Sequence, residues 1–301
     1  VWFAPNVGSP DLLELFTDPE AWRVARRSTD VFKFYAQQLL ADRPRDCPEC
    51  GENLFPELAR VEAFTRLNAW GLGIGIEVGA IKPWGCVASA TVPQARRAMR
   101  RVEDRRAVVT DLALDEPLLG AQGCQLTLEE AAIHTAAFAR ESRAARPYLR
   151  VGIIEPYPVF SADTLLAWVE ALRGHGFTPS FLHLDVDRRH AGQLGADVGG
   201  DLLKLRTAME AQGIPFGVIF WSDVGTSDEA YYGDAMGWLT AVGAAIGEPT
   251  HSIFQSWVES ADGRRAVPSN VPEADATAFT HTRLLNEGLA DLRGRSRPRT
   301  R

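Results

Sequence analysis

Acidic side chains follow several apolar, strand-like runs of this chain, and acids in such positions can carry acid–base chemistry. Three of the strings are Leu114-Asp115-Glu116-Pro117, Ile153-Ile154-Glu155-Pro156 and Phe220-Trp221-Ser222-Asp223. A carboxylate at the end of a buried strand costs free energy unless it is partnered, so its repetition requires a chemical reason. In a parallel barrel the C-terminal ends of the strands meet at one mouth, where active sites are built. We therefore expect Glu116, Glu155 and Asp223 to be catalytic.

The elements that must position these acids alternate along the whole chain. Strands are predicted at 1–6, 31–37, 73–81, 107–115, 148–155, 181–187, 215–223 and 252–258. Amphipathic helices are predicted at 21–27, 54–67, 92–103, 126–145, 162–175, 199–212, 231–246 and 280–292. This rhythm predicts a single-domain (β/α)8 TIM barrel over residues 1–292, rather than an open doubly wound sheet. Residues 293–301 are basic, and we predict that they form a disordered tail.

Side-chain alternation predicts which residues face the barrel lumen. In the third strand, Gly73, Gly75 and Glu77 share one face, and the aliphatic residues between them share the other. Lys33 and Tyr35 fit the same inward scheme in the second strand. The glycines leave space beneath Glu77, and the upper layers of the lumen are predicted to be polar. Such a lumen suits a polar ligand.

The fourth strand ends in Asp115-Glu116-Pro117, and here the chain resembles the TIM-barrel glycoside hydrolases. The resemblance is to the large clan whose acid/base Glu follows strand four in an Asn-Glu-Pro motif. It implies a glycosidase, a hydrolase of O-glycosyl bonds in carbohydrate metabolism, with Glu116 as the proton donor. It also implies that Trp221 and Trp257 form a platform for a sugar ring.

The resemblance leaves the second carboxylate open between two residues. The clan's nucleophile is a Glu at the end of strand seven, where this chain has Asp223, and Glu155 on strand five is a further acid. Neighbouring acids raise one another's pKa, which can keep one of them protonated as a donor. Carboxyl groups about 5–5.5 Å apart give retention and about 6.5–9.5 Å give inversion, and both outcomes stay open.

Further polar and aromatic residues at the predicted mouth are expected to bind a carbohydrate substrate. They are Asn6, Lys33, Tyr35, Glu77, Asp115, Tyr157, Asp185, Trp221, Gln255 and Trp257. A structural role is open for several of them, since Glu77 can instead form a salt bridge with Lys33 or Lys82. The glycosidase hypothesis requires neither a metal nor a cofactor.

Three other functions compete with the glycosidase hypothesis. Ile154-Glu155-Pro156 followed by Leu184-Asp185 resembles the first two metal ligands of the xylose-isomerase-like barrels, which implies a metal-dependent sugar isomerase or epimerase. A Schiff-base aldolase would use Lys33 or Lys82. A non-catalytic sugar-binding barrel would need the same polar mouth.

Composition restricts the partners and the compartment. The 301 residues carry a formal net charge of −7, and an acidic chain is a poor partner for nucleic acid. No apolar run reaches the roughly 18 residues that a membrane span needs.

Cys47 and Cys50 form either a local disulfide or free thiols. Cys86 and Cys124 lie above adjacent strands and can pair in an exported protein, so we predict a secreted or periplasmic location, with the cytoplasm as the alternative. Oligomeric state is not predicted.

Overall fold

The structure is a computed structural model that describes residues 1–263 and 265–296. Eight parallel strands form a closed barrel in chain order, and β1 pairs with both β2 and β8. The strands are β1 Trp2–Ala4, β2 Val31–Tyr35, β3 Gly73–Val78, β4 Val109–Asp115, β5 Arg150–Tyr157, β6 Leu182–Val186, β7 Phe216–Phe220 and β8 His251–Gln255. A two-stranded hairpin, β9 Val258–Glu259 and β10 Ala266–Val267, follows the barrel. The predicted TIM-barrel fold is confirmed.

Helices surround the barrel, and short helices also follow several strands directly at its mouth. They are α1 Glu14–Thr17, α2 Arg23–Ser28, α3 Ala36–Leu40, α4 Phe55–Arg60, α5 Ala63–Ala69, α6 Ala88–Glu103, α7 Pro117–Gly123, α8 Leu128–Arg143, α9 Ala162–Gly174, α10 Arg188–Leu194, α11 Val198–Ala211, α12 Asp228–Ile246 and α13 His281–Ser296. Short 3₁₀ turns lie at Pro19–Trp22, Pro44–Asp46 and Pro48–Cys50. No helix of the described residues is long and apolar enough to span a bilayer.

The barrel encloses a small apolar core beneath its polar mouth. This inner core consists of Trp2, Val31, Ala113, Ile154, Phe181, Ile219 and Ile253. A Cβ at Gly75 would lie 3.1 Å from the Trp2 ring, so the glycine admits the indole into the lumen. Ile74 and Ile76 point outward into the larger core that packs the strands against the helices. The predicted alternation of the third strand is thus confirmed.

Several predicted boundaries were wrong, and local backbone geometry explains them. The second strand ends at Tyr35 because α3 begins at Ala36. The helix predicted at 54–67 is broken at Glu62, whose φ of 57° lies in the left-handed region. The sixth strand ends at Val186 rather than at residue 187, because Asp187 caps α10 by accepting from the His190 N–H at 2.8 Å. The predicted tail starts inside α13, which runs to Ser296, and residues 297–301 lie outside the described residues.

The two cysteine pairs whose state the sequence left open both form disulfides. The Cys47–Cys50 bond closes a short 3₁₀ turn, and the Cys86–Cys124 bond joins the loop after β3 to the C-terminal end of α7. The second bond therefore ties together two of the loops that surround the barrel mouth.

Candidate active site

A cleft with a volume of about 530 Å³ opens at the C-terminal mouth of the barrel. Its walls are polar and apolar in about equal measure, and three of the residues that line it are aromatic. The polar and aromatic residues that line it are Tyr35, Gln37, Glu77, Lys82, Trp84, Gln94, Asp115, Glu116, Asp185, Gln255 and Trp257. The apolar floor includes Ile154 and Ile219 of the inner core. Four carboxyl groups thus face one cavity.

One of the four carboxyl groups, Glu77, is held by a buried lysine. The Lys33 ammonium is fully enclosed, forms an ion pair with Glu77, and donates to Gln255 Oε1 at 2.6 Å. The Gln255 amide in turn donates to Glu77 Oε2 at 3.1 Å and to the Tyr35 hydroxyl at 3.0 Å. Burial raises the pKa of Glu77, and the Lys33 charge opposes this increase. The network gives Glu77 a fixed orientation at the end of β3.

A second lysine holds Asp115 at the end of β4. Lys82 Nζ lies 2.5 Å from Asp115 Oδ2, and both side chains are partly exposed to the cleft. A tight turn joins Lys82 to Gly85 through backbone hydrogen bonds, and it exposes Trp84 at the rim. Adjacent Cys86 carries the disulfide to Cys124, so the lysine belongs to a covalently tethered loop.

Glu116 follows Asp115 in a left-handed backbone conformation, with φ 47° and ψ 53°. Its amide donates to the Ile154 carbonyl at 3.0 Å, and Pro117 begins α7 directly after it. Burial raises the pKa of Glu116 to about 7, and the neighbouring Asp115 charge adds to the effect while Lys82 opposes it. A carboxyl group with this pKa can donate or accept a proton near neutral pH.

Asp185 lies on β6, across the cleft from the lysine-held acids. Its Oδ1 atom is buried and has no hydrogen-bond partner among the described residues. Burial and the Glu116 and Glu77 charges together raise the pKa of Asp185 to about 8, while the Trp221 side chain opposes the increase. An unpartnered buried oxygen that lines a cavity is available to a ligand. Asp185 is therefore a second protonated acid in the same cleft.

Glu155, predicted to be catalytic, does not line the cleft. Its side chain is fully buried, and Oε1 accepts from the Leu118 amide at 3.1 Å and from Trp168 Nε1 at 2.8 Å. Neighbouring Ile154 points into the lumen, so alternation directs Glu155 outward, between α7 and α9. Both faces of β5 are apolar, so the sequence alone did not show this orientation.

Asp223, the other predicted second carboxylate, is exposed on the loop after β7 and does not line the cleft. Tyr157 is buried, and its hydroxyl donates to Asp201 at 2.6 Å, away from the cavity. The two predicted platform residues do lie together, because the Trp221 and Trp257 ring centroids are 4.5 Å apart. Of this pair, Trp257 lines the cleft.

A smaller cavity of about 180 Å³ adjoins the cleft and shares Tyr35, Gln37 and Trp257 with it. Asn6, predicted to bind substrate, lines this second cavity. The Asn6 amide is already engaged, since it donates to the Val258 carbonyl at 2.9 Å and accepts from the Gly8 amide at 2.9 Å. Asn6 therefore shapes the wall of the smaller cavity.

Sequence reasoning missed two residues that line the cleft: Trp84 and Gln94. Gln94 belongs to α6, and the strand pattern that located other cleft residues gives no signal for it. Trp84 lies in the loop that the Cys86–Cys124 disulfide tethers, and its place at the cleft depends on that loop's packing.

No family model matches the chain, and the search of curated proteins found no match. Solved barrels do match. An engineered protein is 15% identical over 98% of this chain and 69% of its own, with a TM-score of 0.56. A candidate lyase/mutase from Burkholderia cenocepacia is 14% identical over 72% of this chain and 66% of its own, with a TM-score of 0.43. A 2,3-dimethylmalate lyase, a member of the PEP mutase/isocitrate lyase superfamily, is 11% identical over 72% and 63%, with a TM-score of 0.39. The chain thus spans less than two thirds of these two enzymes, and at such identities the likeness shows the fold alone.

The prediction of a glycoside hydrolase was wrong. The enzymes named among the similar structures are a lyase/mutase, an aldolase, a 2,3-dimethylmalate lyase and an N-acetylneuraminic acid synthetase, and their likeness to this chain extends to the fold alone. The cleft also lacks the expected pair, because Glu155 is turned into the helix layer and Asp223 lies outside. For the metal-dependent isomerase hypothesis, the described residues contain no group of three or more His, Cys, Asp or Glu placed to hold a metal ion.

Proposed function

We propose that this chain is an acid–base enzyme of the lyase type that breaks or forms a carbon–carbon bond in a neutral, polyhydroxylated carbonyl compound. The observation that carries the proposal is the pair Glu116 and Asp185, whose pKa values of about 7 and about 8 keep both acids protonated in part at neutral pH. Perturbed acids in a cleft at the mouth of a barrel are the groups that such chemistry uses.

The charges of the cleft favour an uncharged substrate. Lys33 balances Glu77, Lys82 balances Asp115, and the remaining two acids are partly protonated near neutral pH. No arginine lines the cleft among the described residues, so a phosphate or carboxylate would meet no bidentate partner. Hydroxyl groups can instead exchange hydrogen bonds with acids, amides and the Tyr35 hydroxyl. We therefore expect a carbohydrate-like substrate.

The proposed reaction is an aldol cleavage, in which every proton has an assigned place. Glu77, as the carboxylate, takes the proton of the substrate hydroxyl, and that C–O bond becomes a carbonyl. The carbon–carbon bond breaks, and its electron pair forms an enol whose oxygen is protonated by Glu116, while Asp185 donates a hydrogen bond to the same oxygen. Return of the enol proton to Glu116, with transfer of the Glu77 proton to carbon, completes the first product. Lys82, which also lines the cleft, would stabilise the negative charge that develops on this oxygen as the bond breaks.

The smaller cavity gives room for a substrate longer than its reacting part. It continues from the cleft across Trp257, whose side chain is 39% exposed. An exposed indole face beside a cavity suits stacking against the C–H face of a sugar-like unit.

Product analysis tests the proposed function. The protein is incubated with a panel of neutral ketoses, aldoses and hydroxyketones, and cleavage or condensation products are identified by NMR. We expect turnover of at least one member, and a loss of about 10²–10⁴-fold in Glu116→Gln and Asp185→Asn. Turnover that is unchanged in both variants would show that these acids do not carry the reaction.

Borohydride reduction separates this mechanism from Schiff-base chemistry on Lys82. Acid–base cleavage forms no covalent adduct, so mass spectrometry is expected to find unmodified protein after treatment with substrate and borohydride. A substrate adduct on Lys82 would instead assign the lysine as the nucleophile, and Lys82→Arg would then abolish both the adduct and turnover.

A further inference from the structure

Glu155 makes two hydrogen bonds that join three elements behind the cleft wall. It lies on β5 with no exposed surface, and its Oε1 accepts from the Leu118 amide of α7 at 3.1 Å. The same oxygen accepts from Trp168 Nε1 of α9 at 2.8 Å. Trp168 is itself fully buried, so its indole holds the carboxyl group in a fixed place.

The element that Glu155 holds is the turn that carries Glu116. Glu116 has φ 47°, a left-handed conformation that is uncommon for a residue other than glycine, and it precedes Pro117. The first amides of a helix need acceptors, and the Glu116 side chain provides no cap for α7. Glu155 supplies the missing acceptor from the neighbouring strand, through Leu118.

Two further contacts fix the same turn. The Glu116 amide donates to the Ile154 carbonyl, one residue before Glu155 on β5. On the other side, a Cβ at Gly120 would lie 2.0 Å from the Ile81 carbonyl oxygen, so α7 packs directly on the backbone after β3. The turn is therefore clamped between β5 and the loop that carries Lys82.

We propose that Glu155 is a positioning residue, which fixes the left-handed turn from which Glu116 reaches into the cleft. The inference rests on the proposed role of Glu116 as a proton donor. It assigns no proton transfer to Glu155, which touches no part of the cavity. Trp168, on α9 in the outer layer of helices, contributes to the position of Glu116 through its hydrogen bond to Glu155.

Burial raises the pKa of Glu155 well above its usual range. Glutamine has nearly the same size as glutamate and can replace it with the accepting oxygen retained. A positioning role predicts that Glu155→Gln is tolerated, whereas a proton-transfer role predicts that it is not. Glu155→Ala removes the acceptor and leaves two buried donors unpaired.

The readout is the titration of the Glu116 carboxyl group, followed by ¹³C NMR and assigned by its absence in Glu116→Gln. We expect Glu155→Gln to titrate as the wild type does, with turnover within about threefold. Glu155→Ala is expected to move the Glu116 midpoint by more than about one pH unit towards its ordinary value, and to lower kcat about 10²-fold.

Trp168→Phe keeps the ring packing, removes one donor, and provides a milder test if Glu155→Ala fails to fold. Its matched control is Trp22→Phe, which deletes an equally buried indole bond, from Trp22 Nε1 to the Leu15 carbonyl, away from the site. We expect a shifted Glu116 midpoint in Trp168→Phe and none in Trp22→Phe.

An unchanged midpoint in both Glu155→Ala and Trp168→Phe would overturn the positioning role. Loss of turnover in Glu155→Gln with an unchanged Glu116 titration would show that Glu155 itself transfers a proton. Because the titration needs no substrate, it decides the positioning role even if the proposed reaction fails.

Discussion

The four carboxyl groups at the mouth differ in their environment rather than in their chemistry. Lysines pair with Glu77 and Asp115, whereas Glu116 and Asp185 have no ion pair among the described residues. Burial raises the pKa values of Glu77, Glu116 and Asp185, and only Glu77 has a directly bonded lysine that opposes the increase. A division of this kind provides both a base and an acid within one cavity.

The raised pKa values predict how stability depends on pH. The folded-state pKa values of Glu116 and Asp185 exceed their unfolded values, so at these two groups the folded protein binds more protons than the unfolded protein between about pH 4 and 8. The contribution of the two groups to stability is therefore largest below that window and is lost as pH rises through it. Glu116→Gln cannot ionise, and we expect it to be about 1–3 kcal/mol more stable than the wild type at alkaline pH, allowing for partial exposure.

Urea unfolding at several pH values measures this difference. Glu130→Gln serves as a control of opposite sign, since hydrogen bonds from Thr127 lower the pKa of Glu130. Removing that carboxylate is expected to reduce stability at neutral pH. A Glu116→Gln variant that gains nothing on the alkaline side would contradict the raised pKa.

The buried Lys33 predicts a large effect on stability. Lys33→Met leaves the enclosed Glu77 carboxyl group without its charge partner, and we expect a loss of about 3–5 kcal/mol in the free energy of unfolding. Lys204→Met is the matched control, because Lys204 pairs with exposed Asp163 and such pairs contribute about 0–1 kcal/mol. Restoring charge balance with Glu77→Gln is expected to recover part of the loss. Equal effects of the two lysine substitutions would contradict the description of a buried pair.

At the scale of elements, the alternation of β3 could be predicted because its glycines and isoleucines mark the two faces clearly. β5 was harder, since both faces are apolar and only the lumen position of Ile154 fixes the orientation of Glu155. The short helix α7 could not be predicted from periodicity, because seven residues contain less than two full turns of pattern. The turn that orients Glu116 depends on contacts from β5 and the β3 loop, which no local pattern reveals.

Loss of the disulfide between Cys86 and Cys124 is expected to affect substrate binding, whereas loss of the other disulfide is not. It spans 38 positions and tethers the loop that carries Lys82 and Trp84, whereas Cys47–Cys50 spans three. Replacing Cys86 and Cys124 with serine is expected to cost about 2–4 kcal/mol and to weaken substrate binding. The same replacement of Cys47 and Cys50 is expected to cost less and to leave binding unchanged. Calorimetry of unfolding and of binding compares the two, and equal losses of affinity would contradict the tether.

At the scale of the whole molecule, strand–helix alternation was sufficient to predict the closed barrel and the end at which its acids meet. It could not determine the reaction, because Asp115-Glu116-Pro117 is a short motif and different chemistries use the same mouth. Cleft residues supplied by helices and loops, such as Gln94 and Trp84, depend on how those elements pack. Export of the protein and a carbohydrate substrate stay predictions.

The continuity of the two cavities predicts a dependence on substrate length. Trp257→Ala removes the ring that both cavities share, so a longer substrate is expected to lose about 1–3 kcal/mol of binding while a short one loses less. Titration calorimetry with short and long members of one neutral series measures this difference. Trp84→Ala, at the rim of the cleft only, is the control. A uniform loss across the series in Trp257→Ala would contradict an extended site.

Proton exchange between substrate and solvent tests the central claim most directly. In D₂O, cleavage of a neutral polyhydroxylated ketone is expected to place deuterium on the product. NMR follows this deuterium at the carbon beside the carbonyl, where the carbon–carbon bond was broken. The rate is predicted to depend on groups that titrate at about pH 7 and about pH 8, and to fall by about 10²–10⁴-fold in Glu116→Gln and in Asp185→Asn. Exchange that proceeds at the wild-type rate in both variants, or turnover without any exchange, would contradict the account.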